Sequence, residues 1–469
     1  MKRIAGITGG RGYLWTIGVF FLIVSMGILS DTSAFGEGKQ VEVLTLEETL
    51  RIAAEKNLDI QKAREYRNLV EGIYVTERAA VLPQIVIGAR ANNERDQSQK
   101  AVGPNAPLGR NTRSAEVGLS QALFTWGQIG AAIRAAKMGI ATADDQLRLF
   151  RQAAFRDVTA SFYDTLLAKE LHAIAIQNLE QKRRHYDEAQ KKYAAGVATD
   201  YDVLVGKVDV ENTQPPVIRT ENLIRISREK LRFLLGTESK EVDVKGTLET
   251  EILPYPDYQE AEEIAKKNRP ELSDFRHRIQ VTEELVKIAQ AGDKPRLDLK
   301  AGYGWQDLDL GQGYQASGQM WSAGLFVTYP IFDGLRTRGQ VAQAKSHLAT
   351  LKIEEAKLLD SIRLEIRDAV NAVRESAEII RALSGTVARA ERLLSMAEKG
   401  YEYGVKTKLE VDDAQLSLVQ ALGNLATAKR DYLVARVTYE WATGTLGERG
   451  IKSETLKSKL QTGKVKGQE

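Results

Sequence analysis

Apolar and polar residues alternate with period two in four short stretches of the chain. In RLDLKAGYGW, Leu297, Leu299, Ala301, Tyr303 and Trp305 share one face, and Arg296, Asp298, Lys300, Gly302 and Gly304 the other. In WSAGLFVTY, Trp321, Ala323, Leu325, Val327 and Tyr329 alternate with Ser322, Gly324, Phe326 and Thr328. Two weaker copies lie earlier. Ile85, Ile87, Ala89 and Ala91 oppose Gln84, Gly88, Arg90 and Asn92. Ala115, Val117, Leu119 and Leu123 oppose Ser114, Glu116, Gly118 and Ser120. Period-two patterning predicts strands with one apolar and one polar face. Two amphipathic hairpins on a soluble core fit that pattern. So do barrel strands with the apolar face toward lipid.

After each pair of strand signals the pattern changes to that of long helices. No Pro or Gly occurs from Ile140 to Ala195. The spacing predicts one helix over 127–195, roughly 100 Å long at ~1.5 Å per residue, and a twin over 335–403. Both are dense in Ala, Leu, Glu, Lys, Arg and Gln, all good helix formers. Such length implies a coiled coil or helical repeat. Heptad spacing joins Leu179, Tyr186 and Tyr193 in one and Val387, Leu394 and Tyr401 in the other. Gly196 and Gly404 suit helix C-terminal turns with positive φ. Thr199 with Asp202, and Thr407 with Glu410, suit capped helix starts. Each long helix therefore turns and returns, over 200–235 and 407–443. Pro215-Pro216 predict a break in the first returning helix, since an internal proline removes a donor and clashes with the turn before it. Gly423-Asn424 stand at that place in the second. Shorter helices are expected near 46–81 and 257–292.

The same order of elements occurs twice, and the residues repeat with it. Phe124 matches Phe332, Tyr193 matches Tyr401, Gly196-Val197 match Gly404-Val405, and Gly236-Thr237 match Gly444-Thr445, all 208 residues apart. Pro83 and Pro295 are 212 apart, so a short insertion lies between. The reading is a first structural repeat over 35–245 and a second over 246–446. A charged, irregular connector falls near 238–258, and a flexible tail over 447–469. The basic stretch from Lys452 to Lys466 receives no role.

Composition and charge narrow the field. The 469-residue chain is 43% hydrophobic, 28% charged and only 7% aromatic. Lys plus Arg number 66 and Asp plus Glu 63, a net charge of +3. That balance argues against a nucleic-acid partner, which calls for a basic excess. With no cysteine, disulfides, thiolate metal sites, Cys nucleophiles and a lipidated N-terminal Cys are excluded. His172, His185, His277 and His347 are far apart, so no His-rich metal site is expected. GQGYQASG (311–318) looks like a phosphate loop but lies between two strands rather than opening a helix, and reads as a loop between strands. Neither G-x-S-x-G nor H-E-x-x-H occurs. Neither an enzyme nor a cofactor is expected.

At the N-terminus, Lys2, Arg3 and Arg11 precede an apolar run from Tyr13 to Leu29, and Thr32 and Ala34 follow with cleavage-site spacing. This is the layout of a secretory signal over 1–34. An uncleaved anchor is the rival, but the run is at the short end of what spans a bilayer. Losing Lys2, Arg3, Arg11 and Asp31 would lower the net charge from +3 to +1.

Taken together, the duplication, two strands then a very long helix per half, the paired turns GVATDYDV and GVKTKLEV, and the Phe332-Asp333-Gly334 segment make the chain resemble the TolC-like outer-membrane efflux proteins. The resemblance covers nearly the whole mature chain. It implies a mainly α fold with a small β part. Each protomer would give four strands to a trimeric twelve-stranded β-barrel in outer-membrane lipid and its helices to a long periplasmic α-barrel. It implies a homotrimer serving as exit duct of a tripartite efflux pump or type I secretion system. The partners would be a periplasmic adaptor protein and a proton-driven or ATP-driven inner-membrane transporter. The strand count agrees: four strands leave two open edges, which only closure removes in lipid. The loops 93–112 and 307–318 would then face outside.

The resemblance also implies residue roles. Links that hold the pore closed fall on Asp202, Tyr401 and Lys406. Lys406 stands where the family's reference member has an arginine, and a lysine lacks the planar fork that binds two partners. Rings of acid around the pore fall on Glu410 and Asp413, and would favour cations. The turns at Gly196, Val197, Thr199, Gly404, Val405 and Thr407 would dock the adaptor. Plainer roles stand beside these: Glu410 as a capping acid, Asp413 as a solvated side chain, Tyr401 as a packing residue. The competing function is a periplasmic coiled-coil adaptor or structural protein without a membrane barrel. Such an adaptor would carry one helical hairpin with flanking β-domains, and this chain has two hairpins in tandem.

Overall fold

A computed structural model describes residues 42–95, 109–237, 241–309 and 315–447. The expected export signal, and the C-terminal tail beyond Gly447, lie outside the described residues. Among the described residues fourteen elements follow one another in two matching series. The first is β1 (Glu42–Leu44), α1 (Leu46–Lys56), α2 (Leu58–Ala79), β2 (Gln84–Arg95), β3 (Gly109–Phe124), α3 (Gln128–Ala194) and α4 (Asp200–Leu235). The second is β4 (Val242–Val244), α5 (Tyr258–Asn268), α6 (Pro270–Gln290), β5 (Arg296–Asp309), β6 (Gln315–Thr328), α7 (Arg336–Glu402) and α8 (Lys408–Ala442). The expected mainly α, two-repeat fold with four long strands is what the chain adopts. Of the phosphate-loop lookalike, residues 315–318 belong to β6, and 311–314 are not among the described residues.

The four long strands form one antiparallel sheet in the order β2-β3-β5-β6. Its register gathers the alternating residues into rows. Ile87, Val117, Tyr303 and Trp321 make one row, and Ile85, Leu119, Ala301 and Ala323 the next. The opposite face carries Gln84, Ser120, Lys300 and Gly324, then Val86, Gly118, Gly302 and Ser322. The apolar face is left bare: Ile87 is 80% exposed and Trp321 78%. Period two thus becomes an apolar surface running across all four strands.

Each passage from strand to long helix uses two consecutive residues in the left-handed region. They are Trp126 and Gly127 in the first half and Gly334 and Leu335 in the second. One glycine in each pair eases the turn, and the bulky partner carries the strain. The Phe332-Asp333-Gly334 segment has a local reason. Asp333 accepts the Thr337 N–H at 2.8 Å and so caps α7. Thr125, its counterpart, accepts the Ile129 N–H at 3.3 Å.

The helices α3 and α7 each run 67 residues, one residue shorter at each end than expected. α4 and α8 return against them. The predicted break at Pro215-Pro216 does not occur, because α4 runs unbroken from Asp200 to Leu235 through both prolines. Each proline costs about 3 kcal/mol in a helix interior. Here both rings lie on the exposed side. Gly206 and Thr213 are buried before them, and Ser227, Leu231 and Leu235 after. The prolines are therefore spanned by packing against α3, which outweighs local propensity.

The regions near 46–81 and 257–292 each resolve into two helices that share a one-residue joint. The Asn57 side chain accepts the Asp59 and Ile60 N–H groups at 3.0 and 3.1 Å. At the other joint Pro270 opens α6, a position where its missing donor is harmless. The connector read as irregular contains β4, which pairs in parallel with β1. Leu44, Val242 and Val244 are buried there with Phe162 and Leu166 of α3, Leu231 and Leu235 of α4, and Ala426 of α8. This core joins the two halves at mid-length of α3 and α8 and at the end of α4. Among the described residues no helix is long and apolar enough to cross a membrane.

Candidate gate at the hairpin tips

The two helical hairpins end in turns of one design. Gly196 has φ +77° and Gly404 +73°. Val197 N–H reaches back to the Lys192 carbonyl at 2.9 Å, and Gly196 N–H to the Tyr193 carbonyl at 2.9 Å. Val405 and Gly404 bond likewise to Gly400 and Tyr401 at 2.8 and 3.0 Å. These paired bonds close the last helical turn. The returning helices then start on reciprocal caps. Thr199 N–H donates to the Asp202 carboxylate at 2.8 Å while the Asp202 N–H donates to Thr199 Oγ1. Thr407 and Glu410 repeat the exchange at 2.8 and 3.3 Å.

The tips differ in charge. Lys406, Asp412 and Asp413 of the second tip stand opposite Ala198, Leu204 and Val205 in the first. Lys406 Nζ lies 2.5 Å from Glu410 Oε1. Gly400 makes room for the lysine stem: a Cβ there would sit 2.4 Å from Lys406 Cγ. The Lys406 ammonium, with the Thr407 N–H, holds the Glu410 carboxyl down at about 2. The backbone N–H and hydroxyl of Thr199 hold Asp202 below the usual carboxylate range. Among the described residues no group of three or more acids and histidines is arranged to hold a metal.

Within one chain the three expected gate residues make separate contacts. Asp202 is held in its cap, Lys406 in its pair with Glu410, and Tyr401 lies beneath Lys192, whose ammonium is 5.3 Å from the ring centre. That last contact joins α3 to α7. Asp413 is exposed. The turn residues Val197 and Val405 are also exposed. The heptad positions loosen toward the tips: Leu179 and Leu394 are buried, whereas Tyr193 and Tyr401 are exposed.

A seam that sequence reading missed lies just above. Gln181 Nε2 donates to Glu398 Oε1 at 2.7 Å, and Gln415 Nε2 donates to Asn178 Oδ1 at 3.1 Å. Lys182 of α3 pairs with Asp412 of α8 at 2.5 Å and with Asp209 of α4 at 3.3 Å. Burial opposes charge on Asp412, yet the Lys182 and Lys408 ammonium groups hold its carboxyl below the usual range. Burial, aided by the Lys408 ammonium, pushes His185 below the ordinary imidazole value. In sequence these side chains are indistinguishable from a solvated helix face. Only the three- and four-residue spacing of Asn178, Gln181, Lys182 and His185 hints at one shared face.

The family model for outer membrane efflux proteins matches residues 49–237 and again 263–445. Outer membrane protein TolC of Vibrio cholerae is 24% identical over 440 residues, covering 92% of this chain and 96% of that protein. The alkaline protease secretion protein AprF of Pseudomonas aeruginosa is 24% identical, covering 95% and 91%. Among solved structures, the CmeC outer membrane channel of Campylobacter jejuni superposes with a TM-score of 0.75. It covers 93% of this chain and 97% of that one at 16% identity. With the family model matched in both halves, the chain belongs to the outer membrane efflux protein family.

Proposed function

We propose that three copies of this chain close a twelve-stranded barrel in the outer membrane and a helical tube beneath it, forming a passive exit duct. Family membership gives the coarser statement: this is an outer-membrane efflux protein whose helices fill a large periplasmic part. The observation that carries the finer one is the sheet. It has four strands, apolar rows on one face, and edge strands, β2 and β6, that are each paired on one side only among the described residues. Lipid offers no hydrogen bonds to such edges, so neighbouring copies must supply them. Three copies give an even-numbered barrel.

The reading continues to partners and gate. A periplasmic adaptor docks at the turns around Gly196, Val197, Thr199, Gly404, Val405 and Thr407, and an inner-membrane transporter supplies the energy. An alkaline protease secretion protein among the relatives supports type I secretion as one setting, and the family description supports an efflux pump as the other. Residues 35–245 and 246–446 act as two structural repeats of one wall. Asp202, Tyr401 and Lys406 link neighbouring hairpins in the closed state, and Glu410 and Asp413 ring the constriction. Tyr401→Phe combined with Lys406→Ser tests this in planar bilayers. Single-channel conductance should rise several-fold, and an unchanged conductance would remove these residues from the gate.

A further inference from the structure

The contact between the two hairpins changes character along its length. At the level of the short ladder it is built on an apolar core, where Ala426 of α8 is buried in one cluster with Val158, Phe162 and Leu166 of α3, and the Arg430–Asp164 ion pair flanks that core. Nearer the tips it is polar. There Asn178, Gln181 and Lys182 of α3 meet Gln415 and Asp412 of α8 and Glu398 of α7. Parting an apolar contact exposes hydrocarbon to water, whereas water can replace the partners of a polar one. The lower seam is the part that separates at least cost.

Lys182 sits at the centre of that seam with its side chain 13% exposed. Its ammonium is shared between Asp412 on the other hairpin, at 2.5 Å, and Asp209 on its own, at 3.3 Å. Asp412 is shared in turn: the same Oδ1 accepts Lys408 Nζ, one helical turn away, at 2.5 Å. If the hairpins part, Lys182 retains Asp209 and Asp412 retains Lys408. Breaking a buried ion pair is costly chiefly because a charge is left alone, and here neither side is left with one.

We propose that Lys182 is an exchangeable latch, bridging to Asp412 when the hairpins are together and falling back on Asp209 when they separate. Lys182 and Asp412 thus each keep a charged partner in both arrangements, the kind of bistable element on which a switch depends. This inference rests on the reading of the tips as a gate and adds a second control point above them. It also assigns opposite roles to two aspartates that look equivalent in sequence. Asp412 stabilises the closed arrangement and Asp209 the open one.

The test uses full-length trimer in planar bilayers. Asp412→Asn should raise single-channel conductance several-fold. Asp209→Asn, placed in the Tyr401→Phe, Lys406→Ser background, should lower the conductance that background has gained. Unchanged conductance in both, or a shift in the same direction, would overturn the latch. The chain has no cysteine, so Asn178→Cys with Gln415→Cys gives an independent measure that leaves the ion pairs intact. In the same background the oxidised pair should hold conductance low and a reductant should release it. High conductance in the oxidised form would show that the seam does not part, and would also overturn the proposal. Absence of any pore from the unmodified protein is a different failure, since it removes the duct reading and the latch with it.

Discussion

Glu410 serves three donors with one carboxylate, the Thr407 hydroxyl among them at 3.1 Å. Oε2 accepts the Thr407 N–H at 2.8 Å and Oε1 the Lys406 ammonium at 2.5 Å. With its folded pKa depressed to about 2 from an ordinary 4.5, its contribution is fully present above about 4.5. It is lost as pH falls toward about 2. Amide exchange at Thr407 and Glu410, corrected for the intrinsic pH dependence, should therefore stay slow from neutral pH down to about 5 and quicken only below about 4.5. Lys406→Ser should move that loss to higher pH, and equal profiles for the two proteins would mean the pair does not form. The cap itself was legible in sequence, because T-x-x-E is a local pattern with a local cause. Lys182 was not. Its partners lie 27 and 230 residues away, and nothing in a charged helical stretch marks which lysine will be enclosed.

Among the elements, the long helices were legible almost to the residue. Their ends are set by neighbouring side chains: Gly196 and Gly404 stop them, and Thr199 and Thr407 start the return. Pro215-Pro216 misled because local chemistry there opposes the tertiary packing that wins. β4 escaped notice because three residues, Val242–Val244, are too few to show a period, and their pairing with β1 spans the two halves. The strands were visible through alternation, but their register was not, and Gly304 shows what register demands. A Cβ at that position would sit 2.5 Å from the Ala115 carbonyl oxygen and 2.8 Å from Glu116 Cβ. Gly304→Val should therefore disrupt pairing between β3 and β5 and abolish the heat-stable oligomer on gels. Gly318→Val, whose Cβ meets nothing within 4 Å, should leave it intact. Oligomer retained with Gly304→Val would refute that close approach.

For the molecule as a whole, the duplicated chain forms a section of wall. β3 and β5 join its halves within the sheet, and the core around Phe162 and Ala426 joins them among the helices. Yet β2 and β6 remain sheet edges, and the apolar rows through Ile87 and Trp321 face outward. Both features call for copies alongside and lipid around. The most direct measurement is the number of chains in the pore-forming particle, taken by native mass spectrometry of the detergent-extracted protein, with the same sample reconstituted into liposomes. Three chains per particle and leaky liposomes are the predicted result. A single chain that leaves the liposomes sealed would contradict the account.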